Sequence, residues 1–381
     1  MPELSKTNAL SRNALPGVLQ LQPYSPGMPI EELQRNLGLD NVIKMASNEN
    51  PCGPSPRVKE AIAKACCELS LAHYPDGSGH CLKEKISQSH AISPDCITLG
   101  NGSNDILEFV CRIYAGPGRA VMFSEYAFAV YPLATKAQDA DAVVVPALAA
   151  DHARMPYGHD LTGFAAQLKR RDDISLIFIA NPNNPTGTWN TAAELLGFLE
   201  QVPDHMIVVL DEAYWHYQDP ALRPDSREWL RQFNNLIITR TFSKVYGLAG
   251  LRVGYALSAP EIADLMNRVR QPFNNNSLAL LAAQTALEDQ PHVSQSVEIN
   301  SRERARLQQA LEAQGLTVLP SQTNFLTVGF GRDASPIHQA LLQSGIIVRP
   351  MGSYDMPEFL RVTVGREEEN TRFLNALLNV L

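Results

Sequence analysis

The strongest constraint on the fold is a series of short, continuously apolar runs with helical patterns between them. Residues 120–123, 142–145, 175–180, 206–210 and 236–239 are each four to six residues long and rich in Val, Ile and Leu. Runs of this kind are strands covered on both faces, and their alternation with helices such as 58–65 and 104–110 implies a mostly parallel sheet with crossover helices. After about Asn276 the texture changes. A long helical region to about Gln314 precedes short strands at 316–319, 324–328, 346–349 and 360–364, which predicts a smaller α+β domain. The expected division is an N-terminal arm with part of the small domain over 1–45, a large domain over 46–275 and a small domain over 276–381. The arm is broken by Pro16, Pro23 and Pro26 up to about Gly27.

At 381 residues the chain can bury a full core without staples. Its net charge of −8, with no long basic cluster, argues against nucleic-acid binding. No run approaches the roughly 20 apolar residues of a membrane span, and the first residues lack the apolar core of a secretory signal. The six cysteines show no CxxC pair and no interleaved histidine ligands at metal-binding spacing, so no metal site is expected, and free buried thiols in a reducing cytoplasm are the simpler reading.

In open α/β sheets ligands bind beyond the carboxyl ends of the strands. Four loops there carry chemistry. After 97–99 comes Gly100-Asn101-Gly102-Ser103-Asn104-Asp105, which leads into a helix; it suits a phosphate or a plain strand-to-helix turn equally. After 175–180, the loop 181–187 holds three asparagines between two prolines and a glycine, a rigid turn with directed amides. Asp211 ends the run 206–210, where a buried carboxylate requires a cation or strong donors, the alternative being a helix cap. Lys244, in Thr241-Phe242-Ser243-Lys244, stands where desolvation would make its amine a nucleophile, the alternative being a surface lysine in a loop. A phosphate cradle, a directed amide, a buried acid and an amine together suit pyridoxal phosphate.

With these loops in view, the sequence resembles the fold-type I pyridoxal-phosphate aminotransferases, and among them the histidinol-phosphate aminotransferase family. Further matching segments are 44–56, 74–78, 272–279, 324–325 and 349–365. The resemblance implies a homodimeric enzyme that carries pyridoxal 5'-phosphate and moves an amino group between L-histidinol phosphate and 2-oxoglutarate. It assigns Lys244 to the Schiff base and proton transfer, Asp211 to the ring nitrogen, and Asn184 and Tyr214 to the phenolic oxygen. Phe128 would stack on the ring, although a core role fits it too. Gly102, Ser103, Asn104, Thr241, Ser243 and Arg252 would hold the phosphate, with Arg252 lying between apolar strand residues. Tyr74 would reach the same phosphate from a neighbouring subunit, or be a turn or interface aromatic. Arg361, Arg349, Tyr24 and Asn184 would bind substrate, with a surface ion pair the alternative for Arg349. An aromatic amino-acid aminotransferase or a related enzyme of the same scaffold is the competing reading. A regulatory module fits poorly, because only about 30 residues precede the first core motif.

Overall fold

The computed structural model describes residues 11, 13–23, 27–69 and 72–381. Among these residues twelve strands form two sheets. They are β1 (Ile43–Met45), β2 (Ile97–Gly100), β3 (Ala120–Ser124), β4 (Asp141–Val145), β5 (Ile174–Ala180), β6 (Ile207–Asp211), β7 (Leu236–Thr241), β8 (Gly254–Ser258), β9 (Thr317–Val318), β10 (Phe325–Gly329), β11 (Ile346–Pro350) and β12 (Phe359–Thr363). The large sheet has the order β2-β8-β7-β6-β5-β3-β4. From β4 to β7 every pairing is parallel, whereas β8 is antiparallel to both β7 and β2. The two reversals return β2 to the direction of β7. The carboxyl ends of β2, β5, β6 and β7 and the entry to β8 therefore open on one side.

Apolar residues on both faces bury β3, β5, β6 and β7, as their composition predicts. The run 142–145 departs from that expectation. It lies in β4 at the sheet edge, where Val143 and Val145 face the core while Val144 is 50% exposed. Two short strands carry weak apolar signals, β1 because it has three residues and β8 because it is rich in small ones.

The small sheet has the order β1-β11-β12-β10-β9, so residues near position 45 pair with residues near 347. Helix Ile30–Leu37 sends Leu33 into a cluster with Ala46, Leu342 and Ile347. The described part of the arm instead rests on the large domain, where Gly17 N donates to Asp139 Oδ1 at 2.8 Å. Nor does packing change sides at residue 276. Helix Ser277–Glu288 places Ala279, Leu280, Ala282, Ala283 and Ala286 in the core of the large sheet. Along helix Gln290–Glu312, Val293 belongs to that core while Leu307 and Leu311 join the small one, so we place the division inside this helix.

The free cysteines also differ from expectation. Only Cys111 is buried, whereas Cys66, Cys67 and Cys81 are exposed on the outer faces of their helices. Among the described residues no helix is long and apolar enough to cross a membrane.

Candidate active site

The loops at the open end of the large sheet and the facing edge of the small sheet enclose a cavity of about 220 Å³. Ser103, Asn104, Phe128, Asn184, Asp211, Tyr214, Thr241, Ser243, Lys244, Arg252, Arg349 and Arg361 all line it. Residues predicted from four separate loops thus meet in one place.

Lys244 follows β7 in a tight turn, closed by a hydrogen bond from Gly247 N to Lys244 O. Its side chain is half-buried at the cavity wall, and its amine donates to Ser47 O at 3.2 Å. Burial, and then the nearby Arg361, depress its pKa to about 8, which favours the neutral nucleophilic form. Asp211, 5% exposed, ends β6. Its Oδ2 accepts from the Tyr131 hydroxyl at 2.8 Å, and its Oδ1 accepts from the Thr239 hydroxyl at 3.0 Å and from Ala213 N at 3.2 Å. Burial raises its pKa, and these donors oppose the rise by stabilising the carboxylate. Tyr131 is itself fixed, stacked on Phe178 at 4.5 Å with Phe128 edge-on at 5.9 Å. Burial lifts the Tyr214 hydroxyl to about 12, so it stays protonated at neutral pH.

The loop 181–187 divides its amides between structure and site. Asn181 Oδ1 accepts from Asn190 N, and Asn183 Nδ2 donates to Tyr126 O, so both brace the turn. Asn184 faces the cavity, where its Oδ1 accepts from Arg361 Nη1 at 2.5 Å.

At the other end, helix Ser103–Tyr114 points its N-terminus into the cavity, and N–H groups there favour an anion. Arg252 Nη1 donates to Ser243 Oγ at 3.1 Å beside it. Arg252 is not a strand residue. It occupies the left-handed region with φ 57° after the short 3₁₀ turn Ala249–Leu251, just ahead of β8. Gly102 makes room for it, because at φ 81° a Cβ on that residue would stand 2.2 Å from Arg252 Nη2. Gly102→Ala is therefore expected to lower stability by about 1–3 kcal/mol, from left-handed strain and displacement of the guanidinium. Thermal unfolding measures this, and an unchanged midpoint would contradict the tight cradle.

On the small sheet, the ladder sets Arg349 of β11 directly opposite Arg361 of β12. Like charges facing across a ladder are unfavourable, a cost that an anion bound at the cavity wall would lower. Arg361 Nη2 also donates to Ala46 O at 2.8 Å, which locks its orientation.

Tyr74 does not line this cavity. It is 81% exposed and stacks on Phe273 with ring centroids 4.6 Å apart. Tyr24 lies outside the described residues. Sequence reasoning assigned no role to Tyr131 and Thr239, or to Tyr354, which also lines the cavity. It likewise passed over the segment 46–48, although that segment lies inside one of the matching motifs. Its three consecutive residues engage Arg361, Lys244 and Tyr214 in turn.

Known proteins resemble the chain in sequence and in fold. The family profile of aminotransferase class I and II matches residues 40–377. Histidinol-phosphate aminotransferase 2 of Pseudomonas fluorescens is 52% identical over 371 residues, covering 97% of each chain. The protein of the same name from Pseudomonas aeruginosa is 51% identical over 370 residues, again covering 97% of each. A solved structure of histidinol-phosphate aminotransferase from Sinorhizobium meliloti, in complex with pyridoxal-5'-phosphate, superposes with a TM-score of 0.86. It is 30% identical, with 97% of each chain covered.

Proposed function

Because the chain belongs to the histidinol-phosphate aminotransferases of the class I and II aminotransferase family, we propose that it transfers an amino group between L-histidinol phosphate and 2-oxoglutarate in histidine biosynthesis. The observation that carries the substrate reading is the opposition of Arg349 and Arg361 across β11 and β12 at the cavity wall. Two facing guanidinium groups suit a phosphate ester, and the same pair accepts the carboxylates of glutamate. Aromatic amino acids bring this pair only the single charge of one carboxylate, against the nearly two charges of a phosphate ester.

The cavity fits pyridoxal 5'-phosphate on three features of its own. A half-buried amine and a buried carboxylate whose close donors are neutral line the same cavity, and the Gly102–Arg252 cradle would hold a phosphate. When bound, the cofactor supplies a pyridinium ring that accepts the electrons released at the substrate α-carbon. Asp211 would keep the ring nitrogen protonated, held in place by Tyr131 and Thr239. Ser103, Asn104, Thr241, Ser243 and Arg252 would bind the phosphate. Phe128 would cover one face of the ring, while Asn184 and Tyr214 would hydrogen-bond its phenolic oxygen. Lys244 would attach the cofactor and, once released by substrate, carry the proton to and from the α-carbon. Arg361, fixed by Asn184 and Ala46, would orient the substrate so that this proton faces Lys244.

A homodimer belongs to the same reading. The outward-facing Tyr74–Phe273 pair offers an aromatic patch from which Tyr74 would serve a partner's phosphate. The proposed location is the cytoplasm, where the biosynthetic substrates would be met.

Arg349→Ala tests the substrate assignment. The expected loss in kcat/KM is about 10–100-fold for histidinol phosphate, from one or two charge-assisted hydrogen bonds, and several-fold smaller for glutamate. Equal losses for both substrates, or none for the phosphate ester, would contradict it.

A further inference from the structure

We propose that Asn48 is a positioning residue that sets the direction of the Tyr214 hydroxyl proton, through a hydrogen-bond chain anchored on Thr363 of the small sheet. Asn48 lies in the loop after β1, 1% exposed, and holds the left-handed conformation at φ 56° that asparagine tolerates. Its backbone N donates to Thr363 Oγ1 at 2.9 Å. The Thr363 hydroxyl donates its one proton to Asn48 Oδ1 at 3.2 Å. Asn48 Nδ2 then donates to the Tyr214 hydroxyl oxygen at 2.8 Å. Asn324 Nδ2 caps the arrangement by donating to Asn48 O at 3.0 Å.

The directions in this chain are not interchangeable. Thr363 Oγ1 already accepts from the Asn48 backbone, so its proton is free to go to Asn48 Oδ1. Reversing the amide would aim a second donor at Thr363 and remove this acceptor from a buried proton. With the amide so fixed, Tyr214 receives a hydrogen bond from Asn48 and its own proton points elsewhere. Tyr214 lines the cavity, so that proton is presented to whatever occupies it. Thr363 is two residues from Arg361 on the same face of β12, so one strand orders both a substrate anchor and this hydroxyl.

The inference rests on the proposed place of Tyr214 beside the cofactor's phenolic oxygen, and the test separates the two. The probe is the pH midpoint of the absorbance of lysine-bound cofactor in the purified holoenzyme. Tyr214→Phe comes first. It removes a donor to the phenolic oxygen and should raise the midpoint by about one unit; no shift would refute the place given to Tyr214. Asn48→Asp keeps the shape and tolerates the backbone, but its carboxylate accepts the Tyr214 proton. The midpoint should then rise by about one unit in the wild-type background and much less in the Tyr214→Phe background. The charged neighbours Lys244, Asp211 and Arg361 are unchanged throughout, so the cycle subtracts the added charge itself. Thr363→Val should shift the midpoint in the same direction by a smaller amount, while Thr363→Ser should leave it in place. Equal shifts from Asn48→Asp in both backgrounds would overturn the proposal, because the residue would then act as a charge and not through the hydroxyl.

Discussion

Lys244→Ala is expected to abolish amino transfer, with a loss of at least about 10⁴-fold, while leaving the protein folded. The variant lacks both the amine that would attach the cofactor and the base that would move the α-proton, and acid–base catalysis alone contributes 10²–10⁴-fold. The fold should not suffer. The side chain is half-buried, its amine makes a hydrogen bond to Ser47 O at 3.2 Å, and removing it also removes a partly desolvated charge. Stability within about 1 kcal/mol of wild type is the expectation, read from thermal unfolding beside the activity assay. Normal turnover in a folded variant would end the assignment. The wild-type amine makes a related prediction. Its pKa of about 8 means that the neutral fraction grows as pH rises and levels off above that value. Capture of added pyridoxal phosphate by the apo-protein should therefore accelerate about tenfold per unit below pH 8 and flatten above it. A rate that is flat from pH 6 to 9 would contradict a nucleophile of this pKa.

Asp211→Asn is expected to slow the half-reaction about 10³-fold, equivalent to about 4 kcal/mol of barrier. The amide keeps the size of the side chain, and its oxygen can still accept from Thr239 and Ala213 while the Tyr131 hydroxyl turns to accept from the amide nitrogen, but it carries no charge to hold the ring nitrogen protonated. Burial already works against ionisation at this position, so the neutral side chain should not destabilise the fold. The two effects thus separate, with a large loss of rate and little change in unfolding. Single-turnover kinetics measure the first, and a half-reaction near the wild-type rate would mean that Asp211 is not the ring partner.

The parts of this site that could be read from sequence are those where a strong local pattern stops abruptly. Residues 176–180, 207–210 and 236–238 of β5, β6 and β7 are unbroken apolar runs, so the polar residues that follow them, Asn184, Asp211 and Lys244, stand out. What stayed hidden depends on contacts between distant segments. Tyr131 meets Asp211 across 80 residues, and Asn48 meets Tyr214 across 166. Each would be an ordinary core tyrosine or loop asparagine if its partner were unknown. The apolar neighbours of Arg252 imply a strand position, whereas the chain turns left-handed there to bring the guanidinium over Gly102. The division placed at residue 276 follows the change to Ala-rich helix, but helices covering the large sheet and helices of the small domain share that composition. Packing, which composition does not record, moves the division into helix Gln290–Glu312.

The central claim, an amino transfer selective for a phosphate-bearing amine, is tested most directly by single-turnover conversion of the lysine-bound cofactor to its amine form. L-histidinol phosphate, L-glutamate, L-phenylalanine and L-tyrosine would be compared on the same holoenzyme. Fast conversion with histidinol phosphate and glutamate, and slow conversion with the two aromatics, is the predicted result. Aromatic amino acids reacting as fast as histidinol phosphate would contradict it.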